Sequence, residues 1–209
     1  MIVELCGVPG GGKSTFAHRF VERHPEAILL SLDMYRRVPE GGYSLIFALL
    51  HPYIFFWMII FVSRYHVRGL FSYSLHLTLR ACAKYQKASM SSSSMVLVDE
   101  GIAHLLCVIP GRALDSSEMR RWLSRLVCTD VIVIASAGTF HRFHREDTSI
   151  HPRVGQGAEA LAVWEAAVRD NTATFMRAVE ERRLEHVVIE CDERVQDTGI
   201  GALAQYLVR

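Results

Sequence analysis

The chain opens with an apolar run, Ile2 to Leu5, then Gly7-Val8-Pro9-Gly10-Gly11-Gly12-Lys13-Ser14-Thr15, then a helix-compatible stretch from Ser14 to Arg23. No other feature constrains the fold as strongly. The pattern G-x-x-x-x-G-K-[ST] between a strand and a helix is that of a phosphate-binding loop. Its glycines let the backbone curl until successive N–H groups point inward at phosphate oxygens. The helix start adds the positive end of its dipole. In this reading Lys13 reaches the β- and γ-phosphates of a nucleotide and the Ser14 hydroxyl ligates Mg²⁺. Gly7, Pro9, Gly10, Gly11, Gly12 and Thr15 complete the cradle. The competing reading, a glycine-rich turn that binds nothing, does not explain why strand and helix flank the motif so closely.

A strand feeding a helix through such a loop belongs to an α/β fold, and the remaining pattern agrees. Five short, mostly apolar segments without strict alternation read as strands covered on both faces: Ile2–Gly7, Ala27–Asp33, Met95–Glu100, Asp130–Ser136 and His186–Cys191. Helical patterns separate them, among them Phe16–Arg23, Ser117–Leu126 and Ala158–Arg183, with a short closing helix over Gly199–Val208. Asp115, Ser116 and Ser117 offer N-cap oxygens to the second of these. The expected architecture is one P-loop NTPase domain over residues 1–209, a five-stranded parallel sheet with helices on both faces and right-handed crossovers. Ligands of such sheets sit beyond the carboxyl ends of the strands.

The length of 209 residues fits one domain, and the net charge of +1 argues against a general polyanion binder. Cys6, Cys82, Cys107, Cys128 and Cys191 form no C-x-x-C pair and are odd in number, so a disulfide framework or zinc site is not expected and a reducing cytosol fits best. No secretory signal is read at the N-terminus.

Residues 38–93 form an apolar, helical insertion between the second and third strands. Tyr43 to Val62 is as long as a bilayer-spanning helix, with Ser44 and His51 as its clearly polar side chains and Pro52 dividing it. Arg36 and Arg37 precede it and Arg64, His66 and Arg68 follow, so the flanks set no orientation. A single crossing would put the phosphate loop and the third strand on opposite sides of a membrane, although both must serve one site. Three readings stay open: a pair of buried helices over the sheet, a greasy pocket or lid for an apolar substrate, and contact with one membrane face.

Chemistry is expected at three further strand ends. Val96-Leu97-Val98-Asp99-Glu100 is a Walker B-like run in which Asp99 holds Mg²⁺ beside Ser14, while Glu100 binds substrate, orients a water or caps the next helix. Ser31-Leu32-Asp33-Met34-Tyr35-Arg36 ends the second strand. Asp33 there faces the γ-phosphate and accepts a proton from a substrate hydroxyl or holds it in line, and Arg36, favoured over Arg37 on spacing, binds an anionic part of the acceptor. After the fourth strand, residues 138–155 read as a lid in which Arg142 and Arg145, three apart, close over the transferring group, with Arg153 able to join. His141, His144 and His151 lack zinc-ligand spacing.

These residues together resemble a small P-loop kinase of the nucleoside-monophosphate-kinase-like group, closest to the set with D-x-x-R after strand two: adenylylsulfate kinase, gluconate kinase-like enzymes, polynucleotide 5′-hydroxyl kinases and chloramphenicol phosphotransferase. The resemblance implies transfer of a phosphoryl group from ATP, with Mg²⁺, to a small-molecule acceptor, here one with an apolar portion. Residues 43–95 carry none of the group's motifs, and the lid holds fewer arginines than is usual. No N-K-x-D guanine signature is present. A nucleic-acid 5′-kinase is disfavoured by the lack of a basic stripe. The alternative from another class is a nucleotide-dependent switch that hydrolyses ATP slowly and meets a protein or membrane through residues 43–87.

Overall fold

The computed structural model describes residues 1–9, 11–30, 40–67, 69–135, 158–189 and 193–208. The described elements are β1 (Ile2–Gly7), α1 (Lys13–Arg23), β2 (Ala27–Leu30), α2 (Glu40–Leu50), α3 (Pro52–Tyr65), α4 (Phe71–Ser89), β3 (Met95–Asp99), α5 (Ile102–Val108), α6 (Ser116–Leu126), β4 (Val131–Ala135), α7 (Ala158–Glu181), β5 (His186–Ile189) and α8 (Glu193–Ala204), followed by a 3₁₀ turn, Gln205–Leu207.

The five strands form one parallel sheet in the order β2-β3-β1-β4-β5. Their Val, Ile and Leu content suits burial on both faces. On one face Val3, Leu5, Leu97, Val131 and Val133 pack against Phe16 and Phe20 of α1 and Ile200 and Leu203 of α8. On the other, Cys6, Ile132 and Ile134 pack under α3 to α7. From β1 the chain runs outward to β2, and after β3 it crosses over to β4. The loop after β1 therefore sits where the winding reverses, the usual ligand crevice of an open α/β sheet.

Element boundaries differ from the sequence reading in instructive ways. β3 ends at Asp99 because Glu100 takes a left-handed backbone, φ 55°. Asp130 is not part of β4, and its carboxylate instead accepts the Ile2 N–H at 2.7 Å. The closing helix starts at Glu193, six residues earlier than expected, and its last turn tightens to 3₁₀. α6 begins one residue early, at Ser116, under a full capping box: Asp115 accepts from Ser117 and Glu118, and Glu118 returns a bond to the Asp115 N–H.

Among the described residues of the connection from β2 to β3 are three helices, α2, α3 and α4. Pro52 divides the apolar stretch as expected, and the two halves meet at 113°. The first of the three readings needs correction. The pair is buried on one face alone: Phe47, Met58, Phe61 and Val62 enter the core, while Leu45, Leu49, Leu50, Tyr53 and Phe56 face outward. Among the described residues no single helix is long and apolar enough to cross a membrane. Cys6, Cys82, Cys107 and Cys128 are free thiols, and Cys191 lies outside the described residues.

Candidate active site

The phosphate loop is built from backbone first. Gly7 ends β1 with φ 112°, and a Cβ placed there would lie 2.3 Å from the carbonyl oxygen of Ala135 on β4. Only glycine permits so close an approach. The Gly11 N–H closes a turn onto the Val8 carbonyl at 3.2 Å. Gly12, φ 82°, is the N-cap of α1 and supplies no side-chain cap, nor does the first turn carry an acid. Gly12 thus leaves the first N–H donors of the helix without a side-chain cap of its own, the arrangement that receives an anion. Lys13 is buried beneath the loop, its Nζ donating to the Val8 carbonyl at 2.8 Å and the Gly7 carbonyl at 3.4 Å. Pro9 is half-buried, Ser14 and Thr15 are exposed at the helix start, and Gly10 lies outside the described residues.

β3 lies beside β1 with Leu5 opposite Asp99, which brings the carboxylate to the loop. The Ser14 hydroxyl donates to Asp99 Oδ2 at 3.2 Å, and Asp99 Oδ1 is buried with no hydrogen-bond partner among the described residues. Burial, and then the neighbouring Glu100, push the Asp99 carboxyl above its ordinary range, against the pull of Lys84, Lys13 and the Ser14 hydroxyl. A hydroxyl and a carboxylate side by side, one oxygen unsatisfied, suit a hard divalent cation that takes its remaining ligands from phosphate and water. No cluster of three or more His, Cys, Asp or Glu occurs among the described residues, so an all-protein metal cage is not built there.

Behind this pair lies a layer that the sequence reading missed. Lys84, from α4, is 1% exposed, and its ammonium donates to the main-chain carbonyls of Asp99 and, at 3.4 Å, of Glu100. It spans the turn in which Glu100 holds its left-handed backbone, a conformation costing about 1–2 kcal/mol for a residue with a Cβ. Glu4, in the middle of β1, is 1% exposed and accepts the His104 N–H at 2.8 Å together with the N–H groups of Ile102 and Ala103. It therefore serves the start of α5 from across the sheet. A Cβ on Gly101 would lie 2.7 Å from the Glu4 carboxyl carbon, which is why that turn needs glycine.

Neither Asp99 nor Glu100 caps α5, whose N-cap is Gly101 without a side-chain bond. The Glu100 carboxylate instead lies 3.7 Å from His104 Nε2. Burial lowers the His104 imidazole to about 3, so it is neutral and the contact is not an ion pair. The signals were faint: one acid in an apolar strand, and one lysine after Ala81, Cys82 and Ala83.

Asp33, Arg36 and Arg37 after β2, and Arg142, Arg145, Arg153 and the three histidines after β4, lie outside the described residues, as does the whole 138–155 lid. The described site is thus the loop, Lys13, Ser14, Asp99 and Glu100, with Glu4 and Lys84 beneath.

Comparison with known proteins agrees with this geometry. Residues 2–43, which contain the loop, match the AAA domain family. No curated protein matches the chain. Among solved structures, the thymidylate kinase of Ehrlichia chaffeensis matches with a TM-score of 0.50 at 17% identity, over 98% of this chain and 98% of its own. A thymidylate kinase of Candida albicans matches with a TM-score of 0.50 at 13% identity, over 99% and 90%. The deoxyadenosine kinase of M. mycoides gives 0.49 at 13% identity. The chain has a P-loop NTPase fold, in the form that nucleotide kinases also use.

Proposed function

We propose that this chain is a phosphotransferase that moves the γ-phosphoryl group of ATP, with Mg²⁺, to a hydroxyl or other acceptor group of a small molecule bearing an apolar portion. The observation that carries the proposal is the Ser14–Asp99 contact at 3.2 Å at the start of a helix whose N-cap, Gly12, makes no side-chain cap bond. Lys13 and the loop amides bind the phosphates. Ser14 and Asp99 hold Mg²⁺, which when bound neutralises charge on the β- and γ-phosphates.

Asp33 accepts the proton of the acceptor hydroxyl. The acceptor's hydroxyl oxygen bonds to the γ-phosphorus as the bond to the β–γ bridging oxygen breaks, leaving ADP. Arg36 binds an anionic part of the acceptor, Glu100 contacts the acceptor, and Arg142 and Arg145 stabilise the equatorial oxygens and exclude water. The acceptor-binding role of residues 38–93 belongs to the same proposal, and the apolar composition of Tyr43 to Val62 supports an acceptor with an apolar portion.

The test is ADP release measured against a panel of small alcohols of graded apolar size, with thymidylate included because the structural neighbours are thymidylate kinases. One class should raise ADP release, and Asp33→Asn should abolish that rise while leaving ATP binding intact. Release that no acceptor stimulates would refute the transferase reading and favour slow hydrolysis.

A further inference from the structure

The α2–α3 corner turns five large apolar side chains outward, away from the buried side of the same helices, where Phe47, Met58, Phe61 and Val62 sit. Leu45, Leu49 and Leu50 on α2 are 61%, 72% and 63% exposed, and Tyr53 and Phe56 on α3 are 61% and 59% exposed. The opposite faces of both helices are fixed. Phe47, Met58 and Phe61 are in the core, Ser44 donates to the Leu79 carbonyl at 2.8 Å, and the Arg125 guanidinium stacks 3.8 Å over the Trp57 ring. Packing on one side thus holds the exposed side chains outward. Contiguous exposed leucines and aromatics of this kind mark an interaction surface.

We infer that this corner docks the chain on an anionic lipid bilayer. Charge selects the occupant. After Glu40 at the start of α2, the sequence from Gly41 to Val98 contains no Asp or Glu, and its charged side chains are Arg64, Arg68, Arg80, Lys84 and Lys87, in a chain whose net charge is only +1. Lys84 is buried and takes no part, whereas Arg64 is exposed. Arg64 is exposed on the same helix as the outward Tyr53 and Phe56, beyond the half-buried Ile60. An apolar stripe ending in a cation, with Glu118 behind Tyr65 already paired to Arg112, complements acyl chains under anionic headgroups.

A second copy of the chain is a poorer occupant. A two-fold contact would set the acid-free segment against itself, with no carboxylate in it to meet Arg64. Side chains this exposed stand out from the surface, so they do not line a pocket for a small ligand. Helix length decides between lying on a bilayer and crossing it. α3 has 14 residues, about 21 Å at 1.5 Å per residue, against a hydrocarbon core of about 30 Å. With α2 turned away at 113°, the pair lies in the interface with the exposed Tyr53 phenol at headgroup level.

The test is co-sedimentation of the full chain with vesicles of phosphatidylcholine alone and of phosphatidylcholine mixed with phosphatidylserine. The mixed vesicles should take up more protein, and added salt should reduce the difference. Leu49→Glu with Phe56→Glu should weaken uptake by roughly a hundredfold, since two inserted apolar groups become charges. An unchanged melting temperature shows that this double variant folds. Arg64→Glu is the second variant, and should weaken uptake by the mixed vesicles alone, by roughly tenfold. Absence of uptake by either vesicle, or uptake that neither variant changes, would overturn the inference. So would a dimer in light scattering that the double variant dissociates while vesicles take up nothing, since a second copy would then own the surface. None of these readouts depends on phosphoryl transfer, so they stand or fall apart from the proposed activity.

Discussion

Replacing Glu4 by Gln tests the layer beneath the site. Glu4 is 1% exposed in the central strand, and its carboxylate faces three N–H groups at the start of α5. Burial outweighs those bonds and the pull of Lys84, and raises the carboxyl from its ordinary 4.5 to about 7. The sign follows from proton counting. Between pH 4.5 and 7 the folded chain keeps a proton that the unfolded chain has released, so this group makes stability fall as pH rises through that window. At about 1.4 kcal/mol per pH unit, the rise from 4.5 to about 7 corresponds to about 3 kcal/mol. Gln carries no charge and resembles the protonated acid in shape and in its carbonyl acceptor. Glu4→Gln should therefore match the parent within about 1 kcal/mol near pH 5 and exceed it above pH 7, because a buried charge has been removed. Urea unfolding of both proteins from pH 5 to 8 reads the difference, in which all titrations common to the two cancel. A stability gap that does not change with pH, or a Gln variant that loses stability relative to the parent as pH rises, would refute the reasoning.

Two further substitutions probe the crest itself. Gly7→Ala should cost about 3 kcal/mol or more, because it combines a positive φ with a Cβ 2.3 Å from the Ala135 carbonyl oxygen, a ladder atom that cannot yield; a denaturation midpoint equal to the parent's would contradict this. Lys84→Met strands the carbonyls of Asp99 and Glu100 and should lower stability by about 2 kcal/mol; thermal melting checks it, and a Met variant as stable as the parent would show that the ammonium does not brace the turn.

How much of this was legible in the sequence depends on where the physical signal resides. The loop was legible because its glycines answer a local demand, positive φ and close approach, that few other residues meet. The sheet was legible because apolar runs such as Met95–Val98 need burial on both faces, although local backbone and side-chain bonds at Glu100 and Asp130 moved the strand ends. The placing of Asp99 beside Ser14 was legible because a carboxylate ending a strand paired with β1 lies level with the loop. Glu4 and Lys84 were not found, because their roles depend on partners far along the chain. His104 meets Glu4 only across the sheet, and Lys84 meets Asp99 only once α4 has folded back. The apolar segment misled for a related reason. Its composition does not record which side faces inward, and the outward leucines of α2 differ from the buried Phe47 by position alone.

The central claim is that the turn after β1 receives the phosphates of a magnesium-bound nucleotide. Titration calorimetry of the full chain with Mg–ATP measures this without any acceptor. Saturable binding at one site per chain, weakened at least tenfold by Lys13→Ala, is the expected result. A folded chain that takes up no nucleotide, or a Lys13→Ala variant that binds as the parent does, would contradict the account.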